Sequence, residues 1–291
     1  MIEIRPARPD EIARQKELWK LAFGDDDAYI DYFYAHTGES QVLLLLEDGV
    51  VWTMVDLFPV TVTLPQGESL SSAYIYALAT HPEARKKGYG RFILNYVDFY
   101  LKESGKDCVT IVPAEPSLYR YFSTTGFEPA CSTRKVELLR DMVAQPNPED
   151  AIVPTSPAQY SALRERMLEG SLHVTYGEAL IAYQQGLSRM ERGDLFHLTV
   201  AGQGGLAAAE YLDEDTVLVK ELLLPPTAQA GGAALLARQM PARRYHLRTP
   251  PFWDGLTGSY LQSFAMIKWY RPELAKTWRE YRRGYMGLGF D

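Results

Sequence analysis

The sequence predicts a mixed α/β fold, built twice. Three observations carry this. Apolar segments of strand length alternate with amphipathic segments of helical length. A strand, a glycine-rich turn and a long helix follow one another around Tyr74 to Gly90. A weaker version of that turn returns 144 residues later, Pro226 standing where Pro82 does (226 − 82 = 144).

The elements follow in order. Ile2 to Ile4 reads as a strand, and Asp10 caps a helix running to Phe23. A second helix is expected at Asp27 to His36, where Tyr29, Tyr32 and Phe33 share a face. Strands follow at Gln41 to Leu46, at Val50 to Thr63 with a break expected near Pro59, and at Ser71 to Thr80; Glu47-Asp48-Gly49 makes the first hairpin turn. The helix Gly90 to Ser104 sets Phe92, Ile93, Tyr96, Val97 and Tyr100 on one face, and Gly105 ends it. Cys108 to Val112 is a strand, Ser117 to Thr125 a short helix ending at Gly126, and Phe127 to Leu139 a strand region. Asp141 to Pro157 is rich in Pro, Asp and Asn, a linker composition. The expected domains are therefore 1–145 and 146–291. In the second, Pro154 and Pro157 precede a helix, strands are expected near 196–200, 206–211, 217–224, 244–248 and 266–269, and Gln229 to Ala234 reads Q-x-x-G-x-A.

Composition narrows the function. At 291 residues and 46% hydrophobic the chain has material for one or two cores, with no apolar run long enough to span a bilayer. A net charge of −7 disfavours nonspecific nucleic-acid binding. The start, Met-Ile-Glu-Ile-Arg-Pro, lacks the pattern of a signal peptide, so the cytoplasm is the expected compartment and no membrane partner is expected. Cys108 and Cys131 read as reduced core residues, and the histidines show no metal-ligand spacing. Oligomerisation is left open.

The chemistry is concentrated at Arg85, Gly88 and Gly90, spaced R-x-x-G-x-G. A glycine-rich turn at a helix start leaves backbone N–H groups free, and the helix dipole adds positive potential: a pyrophosphate site. Arg85, Lys86, Lys87 and Arg91 supply charge at the same place. The echo at Gln229 to Ala234 has no basic residue between Lys220 and Arg238, so a folded second module without this site is expected.

With its flanking strands and the small helix ending in Gly126-Phe127, the segment Ala73 to Phe127 resembles the GNAT N-acetyltransferase superfamily, and the whole chain resembles bacterial tandem-GNAT proteins with a degenerate second copy. The resemblance implies acetyl-CoA as acyl donor and a primary amine of a small molecule or peptide as acceptor. It implies that the backbone of Leu78, Ala79 and Thr80 holds the pantetheine arm. Arg85, Lys86, Lys87, Gly88, Tyr89 and Gly90 would hold the pyrophosphate, with Arg91 just past the loop. The tyrosine that protonates the leaving thiolate in many members falls here on Phe122, a departure that makes Tyr121 and Tyr119 the candidate acids, or else residues that pack or line the acceptor pocket. Glu115 is a candidate to receive the substrate ammonium or relay its proton, or else caps the next helix; Tyr74 and Tyr76 either line the acceptor site or fill the core. The apolar tail Gly284 to Asp291 is expected to dock, and in some multidomain relatives a terminal carboxylate acts as base. Two other readings remain: a CoA-binding regulatory protein without catalysis, and a tRNA-dependent aminoacyl transferase, which the acidic balance disfavours.

Overall fold

The computed structural model describes residues 1–38, 40–281 and 283–290. Two compact units are interleaved along the chain. Unit 1 comprises Met1–Val62, Ser69–Pro129 and Ala265–Glu280; unit 2 comprises Thr63–Glu68, Ala130–Phe264 and Tyr281–Asp291.

Unit 1 begins with β1 (Ile2–Pro6), α1 (Ile12–Phe23), α2 (Asp27–His36), β2 (Gln41–Glu47), β3 (Val50–Thr63), β4 (Ser69–Thr80), α3 (Tyr89–Glu103), β5 (Cys108–Ile111) and α4 (Pro116–Ser123). β1 to β4 lie side by side in sequence order. β5 then pairs parallel to β4, from Ser72 opposite Cys108 to Ile75 opposite Ile111. One face of the sheet packs Leu43, Leu45, Val55 and Leu57 against Ile93, Leu94, Val97 and Leu101 of α3. The buried stripe of α3 is thus Tyr89, Ile93, Leu94, Val97 and Leu101, turned slightly from the expected one; Phe92 is 46% exposed. On the opposite face Phe58 and Tyr76 meet Phe33 of α2, and Tyr76 meets Trp19 of α1.

β3 is unbroken at Pro59. Its register with β2 ends at Leu57, opposite Gln41, so on that edge the missing N–H of Pro59 forfeits no ladder bond.

Unit 2 takes β6 (Glu128–Leu139, from Ala130 on), β7 (Ala151–Pro154), α5 (Pro157–Leu168), β8 (His173–Tyr176), α6 (Glu178–Met190), β9 (Asp194–Val200), β10 (Gln203–Tyr211), β11 (Thr216–Leu223), α7 (Gln229–Gln239) and β12 (Arg244–Thr249). β7, β9, β10 and β11 run antiparallel in that order, β12 is parallel to β11, and β6 is antiparallel to β12. β13 (Tyr260–Trp269) and α8 (Pro272–Tyr281) follow. The last residues of β13 close unit 1 by pairing antiparallel with β5, Met266 opposite Ile111 and Trp269 opposite Cys108.

The strands of the two units therefore repeat one plan: four antiparallel strands, a parallel fifth, an antiparallel sixth. The sixth strand is exchanged. β6, which follows the first copy in sequence, completes unit 2, and the end of β13, which follows the second copy, completes unit 1. A single cut near residue 145 does not separate these units.

β7 forms inside the expected linker as a mostly exposed edge strand, with Pro154 at its end where a missing N–H is tolerated. α6 escapes a search for apolar periodicity because it buries Gln184, Gln185 and Ser188 beside Leu180, Ile181 and Leu187. The tail docks in unit 2. Tyr285, Met286, Leu288 and Phe290 are 0–1% exposed, and Arg164, buried and paired with Glu221 at 3.1 Å, donates to the Met286 carbonyl at 3.0 Å. The chain-terminal carboxylate, on Asp291, lies outside the described residues.

Candidate active site

β4 continues to Thr80, but its pairing with β5 stops at Ile75. Just beyond, Ala77 takes a positive φ of 45°, uncommon for a residue with a Cβ. The kink at Ala77 and the end of the pairing leave Leu78, Ala79 and Thr80 with an edge that β5 does not cover. An unpaired parallel edge presents N–H and C=O groups to whatever lies along it.

The chain leaves β4 through a turn, Pro82–Ala84, whose first N–H groups are held by His81: its Nδ1 accepts from the Glu83 N–H at 3.3 Å. The ring of His81 rests edge-on against Trp52, 5.4 Å between centroids. Lys86 and Gly88 then adopt left-handed conformations, φ 68° and 86°, and α3 starts at Tyr89. Among the described residues the N–H groups of Lys86, Gly88, Tyr89 and Gly90 donate to no backbone acceptor, as expected of a nest at a helix start.

This loop lines a cleft of about 480 Å³, with Thr80, Ala84, Arg85, Lys86, Gly88, Tyr89, Gly90, Arg91 and Tyr121 in its wall. Arg85 and Lys86 are exposed and form no ion pair among the described residues. Arg91 is fixed by a 3.0 Å bond to the Thr124 hydroxyl. Lys87 turns away: its ammonium lies 3.7 Å from Glu47 and 5.4 Å from the centre of the Trp52 ring. The Tyr89 ring is buried and its hydroxyl donates to Glu47 at 2.6 Å, so this residue faces the cleft by its main chain and anchors the loop by its side chain. Free donors and uncompensated cations converge here, which suits an anion carrying several phosphate oxygens.

The tyrosines separate clearly. Tyr121 is half-buried, and a Cβ placed on Gly90 would stand 3.1 Å from its hydroxyl. Burial pushes the Tyr121 phenol up, while Arg91 pulls the other way. Phe122 faces the core, 4% exposed and 5.9 Å from the Phe127 ring. Tyr119 packs against the same core and does not line the cleft. Glu115 is exposed at the N-cap position of α4, where it accepts from the Ser117 hydroxyl, and it too lies off the cleft. Tyr74 is buried, and Tyr76 is half-buried with its hydroxyl 2.8 Å from that of Tyr29.

One carboxylate escaped the reading of the sequence. Asp56 stands within the apolar run of β3 and is completely buried, and burial raises its carboxyl to about 7. Its signal was an acid in a strand otherwise apolar from Met54 to Phe58.

The second copy has no such cradle. The turn Pro226–Ala228 matches Pro82–Ala84, but α7 begins at once with Gln229 in helical geometry. Gln229 is buried and donates to the Leu224 carbonyl at 3.2 Å. Gly232 lies within α7, where an added Cβ would come within 2.4 Å of Leu224. The glycine there serves helix–sheet packing. Cys108 and Cys131 are buried and form no disulfide; among the described residues no group of His, Cys, Asp and Glu is placed to hold a metal, and no helix is long and apolar enough to cross a membrane.

Residues 3–130 match the family model described as an acetyltransferase (GNAT) domain. No curated protein matches the chain in sequence. Among solved structures, a probable N-acyltransferase from Enterococcus faecalis superposes with a TM-score of 0.72 at 14% identity, covering 92% of this chain and 72% of that one. A GCN5-related N-acetyltransferase from Kribbella flavida gives 0.65 at 15% identity, over 92% and 70% of the two chains. A tandem GNAT protein from the clavulanic acid biosynthesis pathway gives 0.58 at 12% identity, over 94% and 99%. The domain match makes residues 3–130 a GNAT acetyltransferase domain, and the chain as a whole has the fold seen in tandem GNAT proteins.

Proposed function

We propose that the chain is an acetyl-CoA-dependent N-acetyltransferase whose acceptor is a primary amine of a small molecule or peptide, the amine attacking directly while both substrates are bound. The observation that carries this is the continuity of the uncovered β4 edge, Leu78 to Thr80, with the Arg85–Gly90 cradle. A pantetheine arm pairs with such an edge as a strand does, and the pyrophosphate takes the loop N–H groups with Arg85, Lys86 and Arg91. Acetyl-CoA supplies an activated acyl group. The protein supplies alignment, a β4 N–H near Leu78 as donor to the developing oxyanion, and the Tyr121 hydroxyl as proton donor at the end of the cleft. A donor thioester made inside the cell places the reaction in the cytoplasm.

Calorimetric titration with CoA, followed by free-thiol release across a panel of amines, tests this. The expected result is binding that weakens at least tenfold when Arg85 and Lys86 are both changed to Ala, with thiol release that requires an amine. Failure to bind CoA sinks the reading. CoA binding without thiol release for any amine favours a regulatory CoA-binding protein instead, the reading to which Phe122 points.

A further inference from the structure

Among the described residues, unit 1 buries one carboxylate, Asp56, and pairs it with no cation. Asp56 Oδ2 accepts from the Ser40 hydroxyl at 3.1 Å, and Oδ1 has no well-formed hydrogen bond among the described residues; the Ser40 hydroxyl and the neighbouring Leu57 N–H pull the carboxyl down, and burial outweighs both. No Lys, Arg or His is paired with it among those residues. Nearby on α1, Gln15 is 1% exposed; its Oε1 accepts from the Tyr34 hydroxyl at 3.3 Å, and its Nε2 has no partner among the described residues. Burial, and after it the charge of Asp56, pushes the phenol of Tyr34, on α2, far up. Across β2, Asp56 stands opposite Val42.

The sheet face that carries Asp56 and Phe58 is aromatic. Trp19 and Phe33 are 4.5 Å apart, and Tyr76 lies 5.8 Å from Trp19 and 5.1 Å from Phe58. The position along the strand matters as much. The Thr53 hydroxyl meets that of Thr80 at 3.1 Å, while Phe58 packs on Tyr74 and Tyr76. Asp56 lies between those two points on β3, so it is opposite the part of β4 that has left β5. A bond to Ser40 does not require an acid, since an amide oxygen accepts equally well. A buried, half-satisfied carboxylate is costly to keep, and an incoming cation is what relieves that cost.

We infer that Asp56 receives the ammonium group of the acceptor, with Gln15 and Tyr34 as hydrogen-bonding neighbours and Trp19, Phe33 and Tyr76 as an apolar wall. The acceptor class is then a primary ammonium on an aromatic or other apolar body. Half-buried Tyr29, Tyr34 and Tyr76 are the members of this cluster through which it enters. The word acceptor rests on the acyl-transfer reading; ammonium binding does not.

The test compares 2-phenylethylamine with its neutral analogue 2-phenylethanol. Wild type should bind the amine at least tenfold more tightly than the alcohol. Asp56→Asn should lose that preference while CoA affinity stays within twofold, and in turnover the KM for the amine should rise at least tenfold with the KM for acetyl-CoA unchanged. A second measurement needs no variant. A bound cation favours the carboxylate, so the NMR-followed titration of Asp56 in the wild type should move down by at least one pH unit with saturating amine, and not with the alcohol. An Asp56→Asn protein that keeps the preference, a wild type that has none, or an Asp56 titration unmoved by the amine overturns the assignment. Ammonium binding without thiol release for any amine sinks acyl transfer and leaves Asp56 standing as an ammonium site.

Discussion

Tyr121, one position before the expected site, carries the hydroxyl at the cleft. Successive residues on a helix point roughly 100° apart, so the choice between 121 and 122 is a choice of face. α4 turns Phe122 inward onto Phe127 and leaves Tyr121 beside Gly90. Its raised phenol stays protonated at neutral pH, as the proton donor proposed for the leaving thiolate must be. A thiolate is a fair leaving group without help, its thiol having a pKa of about 8.5. Tyr121→Phe is therefore expected to lower kcat by about 10- to 100-fold, at or below the low end of the ~100- to 10,000-fold typical of general acid catalysis, with the KM for acetyl-CoA within twofold. Steady-state kinetics check this; unchanged kcat removes Tyr121 from the chemistry.

At the scale of elements, the same strand–turn–helix unit does two jobs. In unit 1 two left-handed residues hold the helix start away from the strand and keep its N–H groups free. In unit 2 the helix begins immediately and Gln229 closes the space. Matched substitutions separate the two roles. Gly90→Ala intrudes on the Tyr121 hydroxyl at 3.1 Å in an otherwise open cleft, so it should weaken CoA binding and turnover with little change in Tm. Gly232→Ala meets Leu224 at 2.4 Å in a packed core, so it should cost about 1–3 kcal/mol in stability and leave CoA affinity intact. Calorimetry and thermal melts report both; the reverse pattern contradicts this division. The loop was legible in sequence because its requirements are local: glycine for conformation, lysine and arginine for charge. Which cations face the cleft was not, since Lys87 is drawn to Glu47 and Trp52, residues about 40 positions earlier in the chain. The place of Glu115 was not legible either: it stands exposed at the N-cap position of α4, off the cleft.

At the scale of the whole molecule, the exchanged sixth strands govern how the chain can be divided. Without residues 265–269, β5 becomes an edge, and the backbone flanking fully buried Cys108 and Val109 is uncovered. Lys268 also reaches across to Asp98 and donates to the Thr125 carbonyl at 2.6 Å, steadying the end of α4. A fragment 1–145 is thus expected to be aggregation-prone and unable to bind CoA, although it contains every cleft residue. Solubility and CoA titration of that fragment decide the matter; a soluble, CoA-binding fragment shows the exchange to be dispensable.

By itself the sequence determined the mixed α/β class, the duplication, the phosphate-type loop and the family resemblance, because each rests on residues close together along the chain. Only the tertiary structure decided which strand completes each unit, which tyrosine hydroxyl reaches the cleft, and that Asp56 is buried with no cation paired to it among the described residues. Those outcomes depend on pairings between segments more than a hundred residues apart, or on the face a residue turns to its neighbours. Neither is written in local spacing.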